Sequence, residues 1–411
     1  MKASYLWGFF CYMRNLILFD TEVRDLLKPF TFTRPVSEIR LGVYTIREKW
    51  EIQLQGHASF ITEEYLDRFY PIHVAEDNIL INAAVLPSPE LVLVIRELGI
   101  NESLTLNGEL IAARLKKNQF DLLMKGKDLD ELTGFSLPED QITLLDSLPM
   151  ILELNEEEIK RDIRMSQQTL KAYHEIDGVK INGPYPVFLQ GRANLEGGSF
   201  NTESGPIFIG DGVVVMEGAI VIGPVAIGKR AVLKTSACLY PGTTVGPHCV
   251  VGGEIKNSIL FNHSNKAHEG YMGDSVIGEG CNIGAGTQVS NLRNTFTPPK
   301  IWNYTTKSFE TCPRLKCGVF MGDFSRTGIN TSINSGSIFG VSVNLFGHGF
   351  APKFIPSFTW GGIQEKSTYH LDKAIIDLRH FFSLVQKPWE SWREDLLTHV
   401  YNLTQSERTW S

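Results

Sequence analysis

The sequence predicts an α/β domain followed by a parallel β-helix, that is, an α/β plus all-β fold class. Three observations carry this prediction. Aliphatic residues recur at every sixth position through much of the second half. Short apolar runs alternate with helical patterns in the first half. From Asn182 the composition shifts toward Gly, Val, Ile and Asn. Strands that alternate with helices are typical of α/β layers, and a short fixed period is typical of solenoids.

The six-residue period is unbroken from Ile209 to Val251 and returns in two later stretches. A period of six fits neither a helix nor a lone alternating strand, but it fits the faces of a hexapeptide β-helix. Its members are Ile209, Val215, Val221, Ile227, Leu233, Leu239, Val245 and Val251, then Ile277, Ile283 and Val289, then Met321, Thr327, Ile333, Phe339 and Leu345. The proline-containing segment Asn291–Cys317 interrupts this period, so we predict a loop that protrudes from a coil.

The first half contains alternating strand and helix signals, which indicate a layered α/β domain. The predicted elements are a buried strand at 15–19, a helix at 43–53, a buried strand at 78–86, a helix at 89–98, a loop-rich stretch at 116–139 and a charged helix at 156–173 that joins two domains.

The pattern divides the chain into four parts. Residues 1–12 are predicted to be a dispensable extension, 13–175 the α/β domain and 182–360 the β-helix. Residues 365–411 form a predicted helical cap, with helices at 367–386 and 390–405 that cover the open end of the solenoid.

Composition and charge exclude several classes of function. The net charge of −7 gives no basic field for nucleic acid or an anionic membrane. No apolar stretch is long enough to span a bilayer. The six cysteines lack the paired spacing of a zinc site, so no metal site is predicted, and isolated buried thiols favour a reducing cytoplasm.

One segment of the β-helical half, KAHEGYMGDSVIGEGCNIGAGT, carries a specific motif. It resembles the acetyltransferase half of the bifunctional enzyme that makes UDP-N-acetylglucosamine, in which glucosamine-1-phosphate acetyltransferase is fused to N-acetylglucosamine-1-phosphate uridyltransferase. The resemblance implies a left-handed β-helix, a homotrimer, and acetyl-CoA bound between neighbouring coils. Left-handed coils are an exception to the usual crossover rule.

The resemblance also implies roles for residues within this motif and around it. His268 matches the general base, and an imidazole suits proton transfer near neutral pH. Lys256 and Tyr271 match residues that bind the sugar phosphate, and Asn282 and Asn291 match asparagines that contact the sugar. Other interpretations are a hydrogen-bonding loop histidine, a solvated lysine, a tyrosine stacked on a coil corner, and asparagine ladders within the coils.

Two positions depart from the family pattern. Tyr240 stands where the family has an arginine, and Leu292 stands where it has a tyrosine. These changes leave the acyl acceptor open, while the acyl-transfer chemistry depends on them less.

The segment from Arg24 to Trp50 resembles the nucleotide-binding start of sugar-phosphate nucleotidyltransferases, a Rossmann-like α/β domain. Arg24, Pro29-Phe30-Thr31, Arg34-Pro35 and Gly42 follow the family order. The resemblance implies a nucleoside triphosphate and a sugar 1-phosphate as substrates. Arg24, Arg34, Arg40 and Asn82 are the candidate nucleotide-binding residues.

The same half of the chain lacks features that nucleotidyl transfer needs. Its phosphate loop, Asp20–Val23, has no glycine and carries two added negative charges, and Val36 replaces an expected lysine. Ala84 stands where the family has the aspartate that binds Mg²⁺ in the nucleotidyl step. The arginines could instead pair with carboxylates such as Glu38 and Glu48, and Asn82 could cap a turn.

Together these patterns predict a cytoplasmic sugar-nucleotide enzyme with an acetyltransferase half and a nucleotidyltransferase half. The alternatives are an inactive nucleotide-binding or regulatory half on a trimeric scaffold, and an acyltransferase with another acceptor. We predict that the regular coils are scaffold and that the two interruptions of the period build the active site.

Overall fold

The computed structural model of the protein describes residues 14–125, 132–138 and 141–410. The predicted extension at 1–12 and Cys11 lie outside these residues. Within them the chain forms an α/β domain, a parallel β-helix and two C-terminal helices. This is the predicted fold class, and the solenoid matches the left-handed β-helix.

The α/β domain is built on a mixed six-stranded sheet with the order β4-β1-β5-β8-β7-β9. Strand β1 lies parallel to both β4 and β5, and β8 runs antiparallel to its two neighbours. The described strands of this domain are β1 (Arg14–Phe19), β2 (Arg40–Leu41), β3 (Tyr44–Thr45), β4 (Gly56–Ile61), β5 (Asp77–Asn82), β6 (Val85–Leu86), β7 (Glu102–Leu106), β8 (Glu109–Lys116), β9 (Thr133–Ser136) and β10 (Thr143–Leu144).

Both faces of the central strands are buried, as their continuous apolar runs predict. Leu16 and Ile79 face one side, whereas Ile17 and Leu80 face the other. The predicted strand at 78–86 is two strands, since the chain turns at Ala83-Ala84 between β5 and β6.

The helices of this domain differ from the predictions mainly at their ends. They are α1 (Val23–Leu26), α2 (Ile46–Leu54), α3 (Pro89–Glu97), α4 (Lys117–Met124) and α5 (Leu148–Ser166). Helix α2 begins later than predicted because Thr45 caps it, in a reciprocal capping box with Glu48. The stretch predicted to be loop-rich contains α4 and β9.

Helix α5 lies about eight residues earlier than the predicted joining helix. Its charged sequence suggested a solvated helix, yet Asn155, Glu158 and Asp162 are buried. The stretch Lys171–Tyr173, predicted to end that helix, is the first strand of the solenoid. No helix among the described residues is long and apolar enough to cross a membrane.

The β-helix has three faces that turn around one apolar core. The first face begins with β11-β13-β16 and the second with β12-β15-β18, while the third begins with β14-β17-β20. From β11 onward the described strands are β11 (Lys171–Tyr173), β12 (Val179–Asn182), β13 (Val187–Leu189), β14 (Asn194–Leu195), β15 (Gly198–Asn201), β16 (Ile207–Ile209), β17 (Val214–Val215), β18 (Ile220–Ile222), β19 (Val225–Ile227), β20 (Val232–Leu233), β21 (Cys238–Leu239), β22 (Thr243–Val245), β23 (Val250–Val251), β24 (Glu254–Lys256), β25 (Ile259–Leu260), β26 (Asn265–Lys266), β27 (Tyr271–Gly273), β28 (Val276–Ile277), β29 (Gln288–Val289), β30 (Lys300–Asn303), β31 (Ser308–Thr311), β32 (Val319–Met321), β33 (Arg326–Thr327), β34 (Ser332–Ile333), β35 (Ser337–Phe339), β36 (Asn344–Phe346), β37 (Phe354–Ile355), β38 (Thr359–Gly362) and β39 (Lys366–Thr368).

Every sixth-position residue of the predicted series is buried. In the regular coils Ile209 pairs with Ile227 and Ile227 with Val245, which is a step of three six-residue faces. The period is therefore the repeat of the core, as predicted.

The two interruptions of the period change the coil length. Val245 pairs with Leu260 and Leu260 with Ile277, so both coils are shorter than the regular eighteen residues. Ile277 then pairs with Met321, and the chain between them contains the protruding segment Asn291–Cys317, which we call the insertion. The insertion holds the antiparallel hairpin of β30 and β31.

The α/β domain packs on the first face of the solenoid. Phe30 meets Phe261 with ring centroids 5.2 Å apart, and the Asn155 amide donates to the Gly242 carbonyl at 2.8 Å. One apolar core runs through both parts of the chain.

The C-terminal helices are α6 (Leu371–Leu384) and α7 (Trp392–Leu403). They lie along the flank of the solenoid and against the α/β domain, where His399 stacks on Tyr65 at 4.0 Å. The last strand of the third face, β38, pairs with antiparallel β39 rather than with either helix.

Candidate functional site

The structure brings Lys256, Tyr271 and Asn291 together at one place on the second face. Lys256 and Tyr271 lie on the adjacent parallel strands β24 and β27, where Lys256 is opposite Gly273. The Asn291 amide donates to the Tyr271 hydroxyl oxygen at 3.0 Å. All three side chains are partly exposed, so they form an accessible polar surface. We call Lys256, Tyr271 and Asn291 the polar cluster.

Gly273 makes the close approach within this cluster possible. A Cβ atom at this position would lie 2.3 Å from the Tyr271 hydroxyl and 2.8 Å from the Asn291 amide nitrogen. Any side chain would therefore displace both groups, which explains the glycine of the YMGD motif in physical terms.

A buried carboxylate, Asp274, holds the polar cluster in place through hydrogen bonds. It accepts hydrogen bonds from Asn257 at 2.7 Å and from Asn291 at 2.6 Å. Its own N–H donates to the Lys256 carbonyl at 3.0 Å. Burial, together with the carboxylates of Asp274 and Glu254, raises the pKa of Tyr271, so its hydroxyl stays protonated at neutral pH.

His268 lies at the exposed corner between the third and second faces. The corner is held by Lys266, a side chain only 1% exposed, whose ammonium donates to the His268 carbonyl at 2.7 Å and to the Glu269 carbonyl at 3.2 Å. Burial lowers the pKa of Lys266 to about 8. The backbone at His268 is thus fixed by these hydrogen bonds, while the imidazole ring remains exposed to solvent.

Asn282 does not join the polar cluster within one chain. It is exposed on the third face, where it bridges Asn265 and Arg326 in the ladder. It lines a groove of about 360 Å³ with Arg326, Asp377 and His380, the last two on α6. A single chain therefore presents the five predicted acyl-site residues on two different faces and one corner.

Arg24 is buried among groups of its own domain. It pairs with Asp20 at 3.4 Å and Glu63 at 3.2 Å, and it donates to the Thr31 carbonyl at 2.8 Å. Burial raises the pKa of Asp20, although Thr62, the Val36 N–H and Arg24 all favour its ionised form.

Arg34 reaches across to the solenoid. Its guanidinium pairs with Asp323 and, at 3.6 Å, with Glu279, and it lies 5.1 Å above the Phe261 ring. Thr33 donates to the same Asp323 carboxylate at 2.6 Å. Thr33, Arg34, Glu279 and Asp323 line a cavity of about 290 Å³ between the α/β domain, the solenoid and the C-terminal helices.

Arg40 and Asn82 also have partners among nearby groups. Arg40 donates to the Val43 carbonyl at 2.5 Å and pairs with Glu48 at 3.5 Å. The Asn82 oxygen accepts from the Ala84 N–H at 3.0 Å, so the side chain caps the turn between β5 and β6. Each predicted nucleotide-binding residue thus has its own internal partners, and its contact with a nucleotide stays a prediction.

The end of β5 does not fit a Mg²⁺ site. Ala84 supplies no side-chain oxygen ligand, and Asp20 of the predicted phosphate loop already accepts from the Val36 N–H at 2.9 Å and from Thr62 at 2.6 Å. In the part of the chain that the structure describes, no group of three or more His, Cys, Asp or Glu side chains could hold a metal ion.

Sequence reasoning missed three residues that hold the polar cluster and the corner of His268: Lys266, Asp274 and Asn257. Lys266 and Asp274 lie inside the motif KAHEGYMGDSVIGEGCNIGAGT. The available signal for a structural role was therefore a charged residue next to the apolar core series. Asn257 carried none, since its role depends on the stacking of consecutive coils, which brings its amide against Asp274.

The fold defines a class of protein in which an α/β domain precedes a hexapeptide-repeat β-helix. Residues 16–170 match a family model described as sugar nucleotidyl transferase. This match covers most of the α/β domain and supports the interpretation of its sequence.

Curated relatives point to the particular proteins that the chain resembles. It is 38% identical over 109 residues to Bifunctional protein GlmU of Methanocaldococcus jannaschii, a match to 26% of this chain and 25% of that protein. It is 45% identical over 67 residues to Bifunctional protein GlmU of Gloeobacter violaceus, covering 16% and 15%. It is 34% identical over 163 residues to a bifunctional sugar-1-phosphate nucleotidylyltransferase/acetyltransferase of Sulfurisphaera tokodaii, covering 39% of each.

The chain thus spans between 15% and 39% of the length of these relatives. The predicted resemblance to the bifunctional UDP-N-acetylglucosamine pyrophosphorylase and glucosamine-1-phosphate N-acetyltransferase-like proteins is confirmed.

Proposed function

We propose that this chain is a transferase of sugar-nucleotide biosynthesis, working in the cytoplasm. Its β-helix would transfer an acetyl group from acetyl-CoA to the amine of an amino-sugar 1-phosphate. Its α/β domain would transfer a nucleotidyl group from a nucleoside triphosphate to a sugar 1-phosphate. The names of the relatives, which join nucleotidyl and acetyl transfer in one chain, support this pairing.

The observation that carries the acetyltransferase proposal is the convergence of the polar cluster where the coil period breaks. A lysine, a protonated tyrosine and an amide share one surface, and an exposed histidine lies at the adjoining corner. Such groups suit a phosphorylated sugar, since cations and neutral donors both bind phosphate and hydroxyl oxygens.

In the proposed reaction the amine nitrogen attacks the thioester carbonyl of acetyl-CoA. The C–N bond forms, the C–S bond breaks, and CoA leaves as its thiol. His268 would accept the proton that the amine loses and return it to the departing sulfur. Lys256 and Tyr271 would bind the sugar phosphate, with Asn291 on the sugar, while backbone N–H groups stabilise the oxyanion.

A homotrimer would complete this site, since Asn282 lies on a different face from the polar cluster. An apolar row on the third face, Val214, Val232 and Val250, is partly exposed and supports packing against a second copy. The corner above His268 continues through Ala285 to Ile329, which is 72% exposed and offers an apolar surface for acetyl-CoA.

The test is consumption of acetyl-CoA with glucosamine-1-phosphate by the wild type, His268→Ala and His348→Ala. His348 is an exposed histidine of a later coil, so it is the matched control. We expect about a 10²–10⁴-fold loss of kcat for His268→Ala and no loss for the control. An unchanged rate in His268→Ala would refute the assignment of the base.

A second candidate function concerns the α/β domain, which would bind a nucleotide without turnover or act as a regulatory anchor on the trimeric scaffold. The buried pairing of Arg34 with Asp323 and Glu279 favours this alternative, because the guanidinium is already neutralised. The unsuited Mg²⁺ position favours it as well. Release of pyrophosphate from UTP or dTTP with a sugar 1-phosphate and Mg²⁺ would exclude it, whereas binding of UTP without release would support it.

The acyl acceptor is the other open choice, since Tyr240 and Leu292 differ from the family. A screen of amino-sugar phosphates with acetyl-CoA would identify the acceptor. Preference for an acceptor other than glucosamine-1-phosphate would favour the variant acyltransferase.

A further inference from the structure

The insertion places an arginine beside the polar cluster of the second face. Arg314 lies in the segment that follows the hairpin of β30 and β31, and its Nη2 atom is 3.4 Å from Asp274 Oδ1. The side chain is 23% exposed, so it lies at the boundary between the cluster and solvent. A cation that is distant from the polar cluster in sequence thus reaches the buried carboxylate that holds Asn291.

The segment that carries Arg314 is anchored at both ends. The Cys312 N–H donates to the Pro299 carbonyl and the Cys317 N–H to the Asn291 carbonyl, both at 2.8 Å. Both thiols are buried, at 1% and 0% exposed. The hairpin itself is held by Trp302, which stacks on Phe354 with ring centroids 4.4 Å apart. Arg314 is therefore presented from an anchored turn, which lowers the entropic cost of using it to bind a ligand.

Asp274 does not use up the hydrogen-bonding capacity of Arg314. The two carboxylate oxygens of Asp274 already accept amide hydrogens from Asn257 at 2.7 Å and Asn291 at 2.6 Å. The contact with Arg314 is longer, and a guanidinium has five N–H groups. The Nε–H group of Arg314 donates to the Lys316 carbonyl at a long 3.4 Å. Most N–H groups of the guanidinium therefore remain for an anion.

The electrostatics around the cluster favour a phosphate rather than a carboxylate-rich partner. Lys256 and Arg314 contribute two positive charges, whereas the negative charge of Asp274 is buried and covered by amides. An exposed carboxylate of opposite charge, Glu254, lies two residues before Lys256 on β24 and opposite Tyr271. A planar guanidinium binds two phosphate oxygens at once, and an ammonium adds a point charge.

We propose that Arg314 of the insertion binds the phosphate of the acyl acceptor together with Lys256, so that the insertion sets the requirement for a phosphorylated amino sugar. This inference rests on the proposed acetyltransferase function. The catalytic proton transfer at His268 is not affected by it.

The experiment compares acetyl transfer to glucosamine-1-phosphate and to unphosphorylated glucosamine. The proteins are the wild type, Arg314→Ala, Arg314→Lys and Arg293→Ala. Arg293 is an exposed arginine of the same insertion whose side chain donates hydrogen bonds to Thr297 and Pro298, so it controls for charge and for loop disturbance. Thermal unfolding of each variant reports on folding.

We expect Arg314→Ala to raise KM for glucosamine-1-phosphate roughly ten- to hundredfold, as for the loss of a charge-assisted hydrogen bond. KM for acetyl-CoA and for glucosamine should not change. Arg314→Lys should fall between the wild type and Arg314→Ala, and Arg293→Ala should match the wild type. An unchanged KM in Arg314→Ala, or an equal rise for both sugars, would overturn the proposal.

A direct binding measurement separates this inference from the proposed function. If the wild type acetylates neither sugar, the acetyltransferase function fails, and calorimetric binding of glucosamine-1-phosphate then decides the role of Arg314. Binding that is weakened in Arg314→Ala but not in Arg293→Ala supports the phosphate contact. Equal binding in both, or none in the wild type, refutes it.

Discussion

Lys49 is a charged side chain with no exposed surface, and it joins α2 to α5. Its ammonium donates to Glu158 at 2.6 Å and also pairs with Asp162. Asp162 in turn accepts from the Val43 N–H at 2.8 Å. The adjacent Gly42 is required here, because a Cβ atom would lie 2.4 Å from the Asp162 carboxylate. A buried cation thus fixes both a helix pair and a backbone turn.

We predict that Lys49→Met destabilises the protein by about 3–5 kcal/mol, since it leaves two buried carboxylates without their shared cation. Urea unfolding measures the change. The control is Lys160→Met on the outer side of α5, where the partner Glu156 is partly exposed and Glu157 is exposed. That variant should lose no more than about 1 kcal/mol. Equal losses in the two variants would contradict the buried-cluster interpretation.

Glu407 is a second residue whose burial has a measurable consequence. Its Oε2 atom and the hydroxyl of Tyr304 are both buried and have no hydrogen-bond partner among the described residues. Burial raises the pKa of Glu407 from its ordinary value of 4.5 to about 7. The folded state therefore binds a proton more tightly than the unfolded chain between these two values.

For a carboxyl with a raised folded-state pKa, stability falls as pH rises from about 4.5 to about 7 and is constant above that range. Glu407→Gln removes this titration. We predict that the variant is more stable than the wild type at pH 8 by about 1–3 kcal/mol, and no more stable near pH 4. Unfolding across this pH range measures it, with exposed Glu97→Gln as the control. Stability curves of wild type and Glu407→Gln that stay parallel across this range would rule the titration out.

At the scale of elements, α5 is the element that connects the two halves of the chain. Asn155 on this helix accepts from the Gly42 N–H at 2.7 Å and donates to Gly242 on the solenoid. It is fully buried, and Thr244 completes its hydrogen bonds at 3.1 Å. One amide therefore satisfies backbone groups of both domains.

Asn155→Leu should lower stability by about 2–4 kcal/mol, because it leaves a buried N–H and a buried carbonyl without partners. Glu153→Leu, an exposed position on the same helix, should change it by less than about 0.5 kcal/mol. Chemical denaturation of both variants measures the difference. A loss in Asn155→Leu no larger than in Glu153→Leu would mean that water satisfies these groups.

Element positions were predictable where a local signal exists. The strand at 15–19 and the helix at 89–98 were found to within about a residue, since a continuous apolar run and a proline at N1 act locally. The ends of α5 were not, because its buried carboxylates are paired with Lys49, more than a hundred residues away. Its pattern of charges therefore resembled a solvated surface.

At the scale of the whole molecule, the α/β domain, the solenoid and the C-terminal helices share one apolar core. Leu16 and Trp50 of the α/β domain, Phe261 and Phe320 of the solenoid and Val400 of α7 belong to the same buried cluster. The solenoid also has an interior core of its own. The first face is therefore stabilised by the domain that covers it.

We predict one cooperative thermal transition for the whole chain rather than separate domain transitions, because neither half can bury the shared core alone. Phe30→Ala, at the contact with Phe261, should lower stability by about 3–5 kcal/mol and shift that single transition. Calorimetry measures this. Phe309→Ala, at a position 41% exposed on the insertion hairpin, is the control. Two resolved transitions would contradict the shared core.

The candidate acyl site was partly predictable, because residues that are one coil apart in the sequence stack on each other in the β-helix. Lys256, Tyr271 and Asn291 converge because residues one coil apart are stacked, so a local motif determines their neighbourhood. Asn282 lies on another face because the chain turns two corners between β27 and that residue, passing through β28 on the first face. Its contact with an acceptor remains a prediction that depends on a second copy.

The sequence by itself determined the solenoid, since each core position depends only on the residues one coil before and after it. It also identified the nucleotidyltransferase-type start by the order of Arg24, Arg34 and Gly42. Only the tertiary structure decided what these residues contact. Arg34 pairs with Asp323, 289 residues away, because two separately formed surfaces meet there. No period or local spacing encodes how such surfaces dock, so the partners of the buried charges had to come from the folded molecule.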